Sequence, residues 1–225
     1  MKRVTLTFDN GPHLVGTPEV LDVLSQRGVK ATFFLVGERL RDPALQSLAS
    51  RIRAEGHRIA NHTLTHTTAL GRTMGTAAAE SEIGEAQKLI APLEGEKLFR
   101  PNGEKGQLGS HMLSEDAVEY LERHAFTAVS WNCVPIDWVG PDGSWVQRSR
   151  DIMASLDWAV VVLHDHCQAG LIRHLEDFLD DLIADGVEFR FDYPKDVLLL
   201  DRGVRTEALN GHFTPREQFE SLNRM

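Results

Sequence analysis

The run VKATFFLV at residues 29–36 decides the fold. Phe33, Phe34, Leu35 and Val36 leave no alternation of apolar and polar positions, so the strand they predict is buried on both faces, as parallel strands under helices are. Working outward, residues 4–8 predict the preceding strand and residues 18–27 the helix between the two, with Thr17 as N-cap, Pro18 in the first turn and Gly28 as the stop. The alternation continues with helices at 43–55, 76–90, 113–123, 149–156 and 169–184, and strands at 57–60, 97–100, 126–131, 159–163 and 187–191. About seven strands in βα order imply an α/β domain on a parallel sheet, wound as a barrel or as an open doubly wound sheet. With no repeat or linker composition, residues 1–225 read as a single domain, the core running to about 193. The extension at about 194–225 has one apolar run, 197–200, and otherwise reads as a peripheral tail or a partner-contacting arm.

The chain has 225 residues, and its 24 Lys and Arg against 33 Asp and Glu leave a net charge of −9, which argues against broad affinity for the phosphates of nucleic acid. No apolar run reaches the ~18 residues of a membrane span, and Met1-Lys2-Arg3 leads straight into the first strand, so the expectation is a cytoplasmic protein with no signal peptide and no membrane partner. Cys133 and Cys167 lack the spacing of a zinc knuckle and are expected as free thiols. Oligomeric state is left open.

In a parallel α/β fold the residues just beyond the strand C-termini share one face, where such folds build their sites. The polar residues here follow that rule: Asp9 and Asn10, then His62 and His66, then Arg100, then Trp131, Asp137 and Trp138, then His164, Asp165 and His166. His62 and His66 are four apart, so one helical turn would turn both imidazoles to the same side, as a divalent metal needs. Asp9 opens the Asp9-Asn10-Gly11-Pro12 stretch, read as a tight turn; beside a metal-type pair its carboxylate is a natural general base for water. Arg100 closes a buried strand and calls for a carboxylate partner, for which Asp9 is the candidate. Trp131, Trp138 and Trp145 suit stacking on sugar faces or, equally, packing in the core.

The segment 7–12, the His62/His66 pair, Arg100-Pro101, Asp137-Trp138 and Leu163-His164-Asp165 resemble, in order and rough spacing, the five motifs of the polysaccharide deacetylase (NodB-like) family of carbohydrate esterases. The resemblance spans residues 4 to about 191 and implies a distorted (β/α) barrel of about seven parallel strands, a single catalytic domain that N-deacetylates an acetylated amino sugar or oligosaccharide. It further implies Asp9 as general base, Arg100 as its holder, and His62, His66 and the residue at position 10 as ligands of a divalent metal, usually zinc. His164 is implied as the acid that protonates the leaving amine and Asp137 as the residue that tunes it, with Trp138 as an apolar wall.

Two positions depart from that pattern. Where the family has a second aspartate as third metal ligand, this chain has Asn10; an amide oxygen brings no charge, so the metal should be held less tightly. Three readings follow. The site binds metal weakly through Asn10 or a substitute carboxylate such as Asp165 or Glu104; it runs a metal-independent amide or ureide hydrolysis, as allantoinase-like relatives do; or it binds carbohydrate without turning it over. Retention of the base, arginine, acid and tuning aspartate favours an enzyme. The family's Arg-Pro-Pro-Tyr-Gly is here Arg100-Pro101-Asn102-Gly103-Glu104, so the oxyanion donor is expected from the following turn, with Gly103 permitting close approach of substrate. His13, His111 and His166 are expected in surface or supporting roles.

Overall fold

The computed structural model describes residues 1–93, 95–139, 142–166 and 170–222. In chain order the strands are β1 (Arg3–Gly11), β2 (Thr32–Leu35), β3 (Arg58–Asn61), β4 (Leu98–Phe99), β5 (Leu113–Ser114), β6 (Thr127–Val129), β7 (Trp158–His164), β8 (Glu188–Arg190), β9 (Leu198–Asp201), β10 (Val204–Arg205) and β11 (Phe213–Thr214). The α-helices are α1 (Gly16–Arg27), α2 (Pro43–Ala54), α3 (Thr76–Ala79), α4 (Ala86–Ile90), α5 (Glu115–Arg123), α6 (Ser144–Ala154), α7 (Gly170–Ala184) and α8 (Arg216–Leu222), with a π-helical turn, Glu80–Glu85, between α3 and α4. The chain divides into two compact units: Met1–Leu35, Arg39–Ile59 and Trp131–Pro194 form the first, and Val36–Glu38, Ala60–Ser130 and the residues from Lys195 the second.

In the first unit β1 is central, parallel to β2, β7 and β8. Val4, Leu6 and Phe8 are buried on one of its faces and Thr5 and Thr7 on the other. The Thr7 hydroxyl donates to Val161 O at 2.8 Å, so a polar side chain on a fully buried strand is satisfied by its neighbour's backbone. Phe8 stacks on Phe33 across β1 and β2 at 5.1 Å, and Trp145 meets Phe178 edge-on at 5.1 Å. β1 runs on to Gly11, past the expected end at residue 8, because Asp9 keeps register with Phe34 and with His164. The register breaks after Asp9, where Asn10 has φ 69°, so the expected tight turn is a bulged strand end; among residues with a Cβ, Asn tolerates that left-handed geometry best.

Thr17 does not cap α1. The helix begins at Gly16 after Val15, which offers no side-chain cap, and the Thr17 hydroxyl is used elsewhere. Gly28, at φ 63°, ends it as expected, its N–H turned to Leu24 O and Ser25 O. α6 starts earlier than the 149–156 prediction, directly after Gly143 at φ 72°.

In the second unit Asn61 of β3 pairs with β4, and β4 with β6, both in parallel, while β9 is antiparallel to β6 and β10 to β9. The segment after residue 194 is therefore not a peripheral tail at its start. Leu199, Leu200 and Leu209 are buried, and β11 pairs with β5. Leu113 and Ser114, expected within a helix, form β5; the Ser114 hydroxyl then caps α5 by accepting from Ala117 N at 3.3 Å. The predicted helix at 76–90 is helical throughout, but its middle is the π turn. Among the described residues no helix is long and apolar enough to cross a membrane.

Candidate active site

At the C-terminal ends of β1 and β7 the first unit gathers a histidine and three carboxylates. Asp9 and His164 are register partners on adjacent parallel strands. Asp137 clasps His164 twice: its Oδ2 accepts the backbone N–H at 2.7 Å and its Oδ1 meets Nδ1 at 2.8 Å. A carboxylate only accepts, so Nδ1 carries the proton and Nε2 is left for chemistry. Burial by itself would drive this imidazole neutral; the charge and hydrogen bond of Asp137, then the charges of Asp9 and Asp165, outweigh it and hold the pKa above the ordinary histidine value. Trp138, half-buried, sets its ring edge-on to His164 at 4.9 Å.

Asp165, next in the chain, points away into the unit. It accepts a short hydrogen bond from the Thr17 hydroxyl, and burial pushes its carboxyl up to about 6 even though that bond and the charges of His164 and Arg39 pull it down. The Thr17 hydroxyl in turn accepts from His13 N at 2.7 Å. A Cβ on Gly11 would lie 2.5 Å from the Asp165 carboxylate, so β1's bulged end and the residue after His164 pack too closely for any larger side chain. Thr17 is the residue here that the sequence reading missed; its helix-capping pattern hid its contact across the chain. His13 spends Nδ1 accepting from Gly16 N at 3.2 Å, and His166, 5.5 Å from the His164 ring, is driven down to about 4, first by burial and then by the charges of His164 and Arg39.

The second unit holds the histidine pair and the arginine. His62 and His66 bring their rings to 4.5 Å between centroids, tilted by 42°. A helical turn does not do this: Thr63 and His66 both have left-handed backbone, φ 66° and 56°. His62 is buried and its Nδ1 lies 2.8 Å from Arg100 O; a carbonyl only accepts, so Nδ1 carries a proton, and in the neutral ring Nε2 is the nitrogen with the lone pair. Arg100 is fully buried and donates from a terminal nitrogen to Ser130 O at 3.2 Å. Gly103 is buried, its carbonyl accepting Gln107 N at 2.7 Å, and Asn102 donates to His66 O at 3.1 Å. Both oxygens of Glu104 accept from Arg72, at 2.6 and 2.8 Å.

The open choice for the tryptophans, sugar face or core, resolves to the core for two of them. Trp131 is only 5% exposed and Trp145 only 1%, so both are core residues and neither offers a face to a sugar; their size made them valuable to the core. Cys133 is a free, buried thiol whose pKa burial raises to about 12, which keeps it inert; Cys167 lies outside the described residues. His111 is half-buried.

Each unit carries donors of a kind that a divalent cation takes: the two imidazoles in the second and the Asn10 amide in the first. Asn10 Oδ1 is buried and accepts no hydrogen bond among the described residues, leaving its lone pairs open. No three His, Cys, Asp or Glu side chains among the described residues cluster as metal ligands.

A family model described as polysaccharide deacetylase matches residues 1–129. A chitooligosaccharide deacetylase of Sinorhizobium fredii is 33% identical over 187 residues, covering 80% of each chain. Among solved structures, a peptidoglycan N-acetylglucosamine deacetylase is 29% identical with TM-score 0.71, over 84% of this chain and 85% of its own. A family 4 carbohydrate esterase from Streptomyces lividans, in complex with acetate, is 26% identical with TM-score 0.71, over 89% and 97%. This chain shares their fold, the distorted (β/α) barrel that the motifs imply.

Proposed function

The chain belongs to the polysaccharide deacetylase family, and on that premise we propose that it hydrolyses the N-acetyl group of an acetylated amino sugar or short oligosaccharide, releasing acetate and a free amine. The observation that carries this reading is the Asp137–His164 pair, in which Nδ1 is committed, Nε2 is left for proton transfer and the pKa is held up as an acid near neutral pH requires. The carbohydrate esterase solved in complex with acetate, the peptidoglycan N-acetylglucosamine deacetylase and the chitooligosaccharide deacetylase support the substrate class.

In this reading Asp9 takes a proton from water as the water adds to the acetyl carbonyl, and Arg100 is the positive partner that the family pattern gives the base. His164 then gives the Nε2 proton to the nitrogen as the C–N bond breaks, and Asp137 stabilises the imidazolium beforehand. Trp138 walls the leaving group. His62, His66 and Asn10 would hold a divalent metal, zinc by its preference for imidazole, which supplies positive charge to polarise the carbonyl and to acidify water.

Acetate release from N-acetylglucosamine oligomers tests the proposal. It should vanish in Asp9→Ala, and activity surviving that change removes Asp9 as the base. Asn10 favours a second reading, metal-independent C–N hydrolysis by Asp9, Arg100 and His164. Elemental analysis of tag-free protein separates the two: if no metal is found and Asn10→Asp neither creates binding nor raises activity, the metal reading is abandoned.

A further inference from the structure

The turn that carries the histidine pair is held from outside itself. Thr63 is β-branched and left-handed, a conformation that persists only where surrounding groups dictate it. Those groups are identifiable. Gly37 N and Glu38 N donate to Thr63 O and Leu64 O, each at 2.9 Å; Asn61 Oδ1 accepts Thr63 N at 2.9 Å; and the Thr63 hydroxyl accepts His66 N at 3.0 Å. Thr65, between the two histidines, is held by Glu82: one carboxylate oxygen accepts its backbone N–H and the other its hydroxyl, both at 3.0 Å.

Glu82 stands in the π-helical turn, and the next carbonyl, Ile83 O, accepts from Asn61 Nδ2 at 3.0 Å. The π turn and the histidine turn are thus joined at two adjacent residues. Close packing sets the approach: a Cβ on Gly37 would lie 2.8 Å from Ala86 Cα, and one on Gly84 would lie 2.6 Å from the Tyr120 hydroxyl. A π turn re-aims side chains and carbonyls that an α-helix would carry round its axis, and such turns recur at functional sites.

We propose that Glu82 is a positioning residue for the His62–His66 pair and that the π turn serves to present it. The proposal rests on the deacetylase reading, in which the pair binds metal. With an amide in place of the carboxylate that is the family's third ligand, the ligand set brings no charge of its own, so affinity leans on how well the two imidazoles are preset.

The test is Co²⁺ binding to the full chain, read by visible absorption and by competition with a chelator. Glu82→Ala should weaken binding by about 10–100-fold and alter the cobalt bands. Glu82→Gln, which keeps acceptor and reach, should stay within a few-fold of the parent. Glu82→Asp, which keeps the charge but falls a methylene short, should behave like alanine; it decides the matter if Glu82→Ala does not fold. Amide exchange at Thr65 in the metal-free protein should accelerate about tenfold or more in Glu82→Ala. Parent-like affinity and spectrum in Glu82→Ala and Glu82→Asp overturn the proposal alone. Failure of the parent to bind Co²⁺ overturns the metal reading, and this proposal with it.

Discussion

The two halves of the candidate chemistry are held in place by different physics. His164 in the first unit is oriented by a buried carboxylate and surrounded by others, so its position and its protonation are one problem. The His62–His66 turn in the second unit is oriented by backbone hydrogen bonds and neutral amide or hydroxyl partners, with Glu82 alone supplying charge to Thr65. The first arrangement should answer strongly to pH and to single-charge changes. The second should answer first to the removal of a hydrogen-bonding partner.

Asp137→Asn tests the first half most severely. Its amide keeps the shape but not the charge that outweighs burial around His164, so the imidazolium is lost at lower pH. We expect kcat for acetate release to fall about 10²–10⁴-fold, with the alkaline limb of the pH profile moved to lower pH. A raised histidine pKa also stabilises the fold below the ordinary imidazole range and ceases to do so as pH rises through the folded value; Asp137→Asn should flatten that dependence in urea titrations. A limb that stays in place would mean that Asp137 only orients the ring.

Asp165 makes the same point for stability. Its folded pKa, about 6, lies above the unfolded 3.8. The neutral carboxyl therefore favours the fold below pH 3.8, and that contribution is lost as pH rises through 6, roughly 3 kcal/mol in all at 1.36 kcal/mol per unit. Asp165→Asn should remove this decline and be the more stable protein at pH 7, provided Thr17 still donates to the amide oxygen. Equal stability curves for the two proteins between pH 4 and 7 would place the Asp165 charge in contact with water.

For the second half the corresponding change is Asn61→Ala. It leaves Thr63 N, Ile83 O and Gln87 Oε1 without their amide partner in a fully buried position. A loss of about 2–3 kcal/mol in urea unfolding is expected, the same at pH 5 and pH 8. A strong pH dependence of this loss would erase the contrast between the halves.

This contrast also explains what could be read in advance. The strand ends carrying Asp9, His62, Arg100, Asp137 and His164 were legible because apolar runs and glycine stops mark where buried strands finish, and chemistry collects there. Spacing of the two histidines was legible, but the wrong geometry was attached to it: the pairing comes from two left-handed residues, which Thr and His do not announce. Nothing in the pattern of 76–90 distinguishes a π turn from an α-helix, since both present apolar residues to the core. The tail after 194 was underrated because β9 and β10 are short, and its buried leucines sit among charges. Trp131 and Trp145 could serve core or ligand equally well by type, and only packing decides between them.

The smallest effect discriminates within the second half. Thr65→Val keeps the backbone N–H that Glu82 accepts and removes only the hydroxyl that meets its other oxygen. The lost bond joins a charged acceptor at a half-exposed site where water can replace the donor, so unfolding should cost only about 0.5–1 kcal/mol more than in the parent. Cobalt affinity should then change by no more than a few-fold, because the main-chain bond is the one that fixes the path between His62 and His66. If Thr65→Val instead weakened cobalt as much as Glu82→Ala does, the hydroxyl would be the element that sets the turn. Glu82 would then act through a side chain that can rotate, and the turn would be held less rigidly than its backbone hydrogen bonds imply.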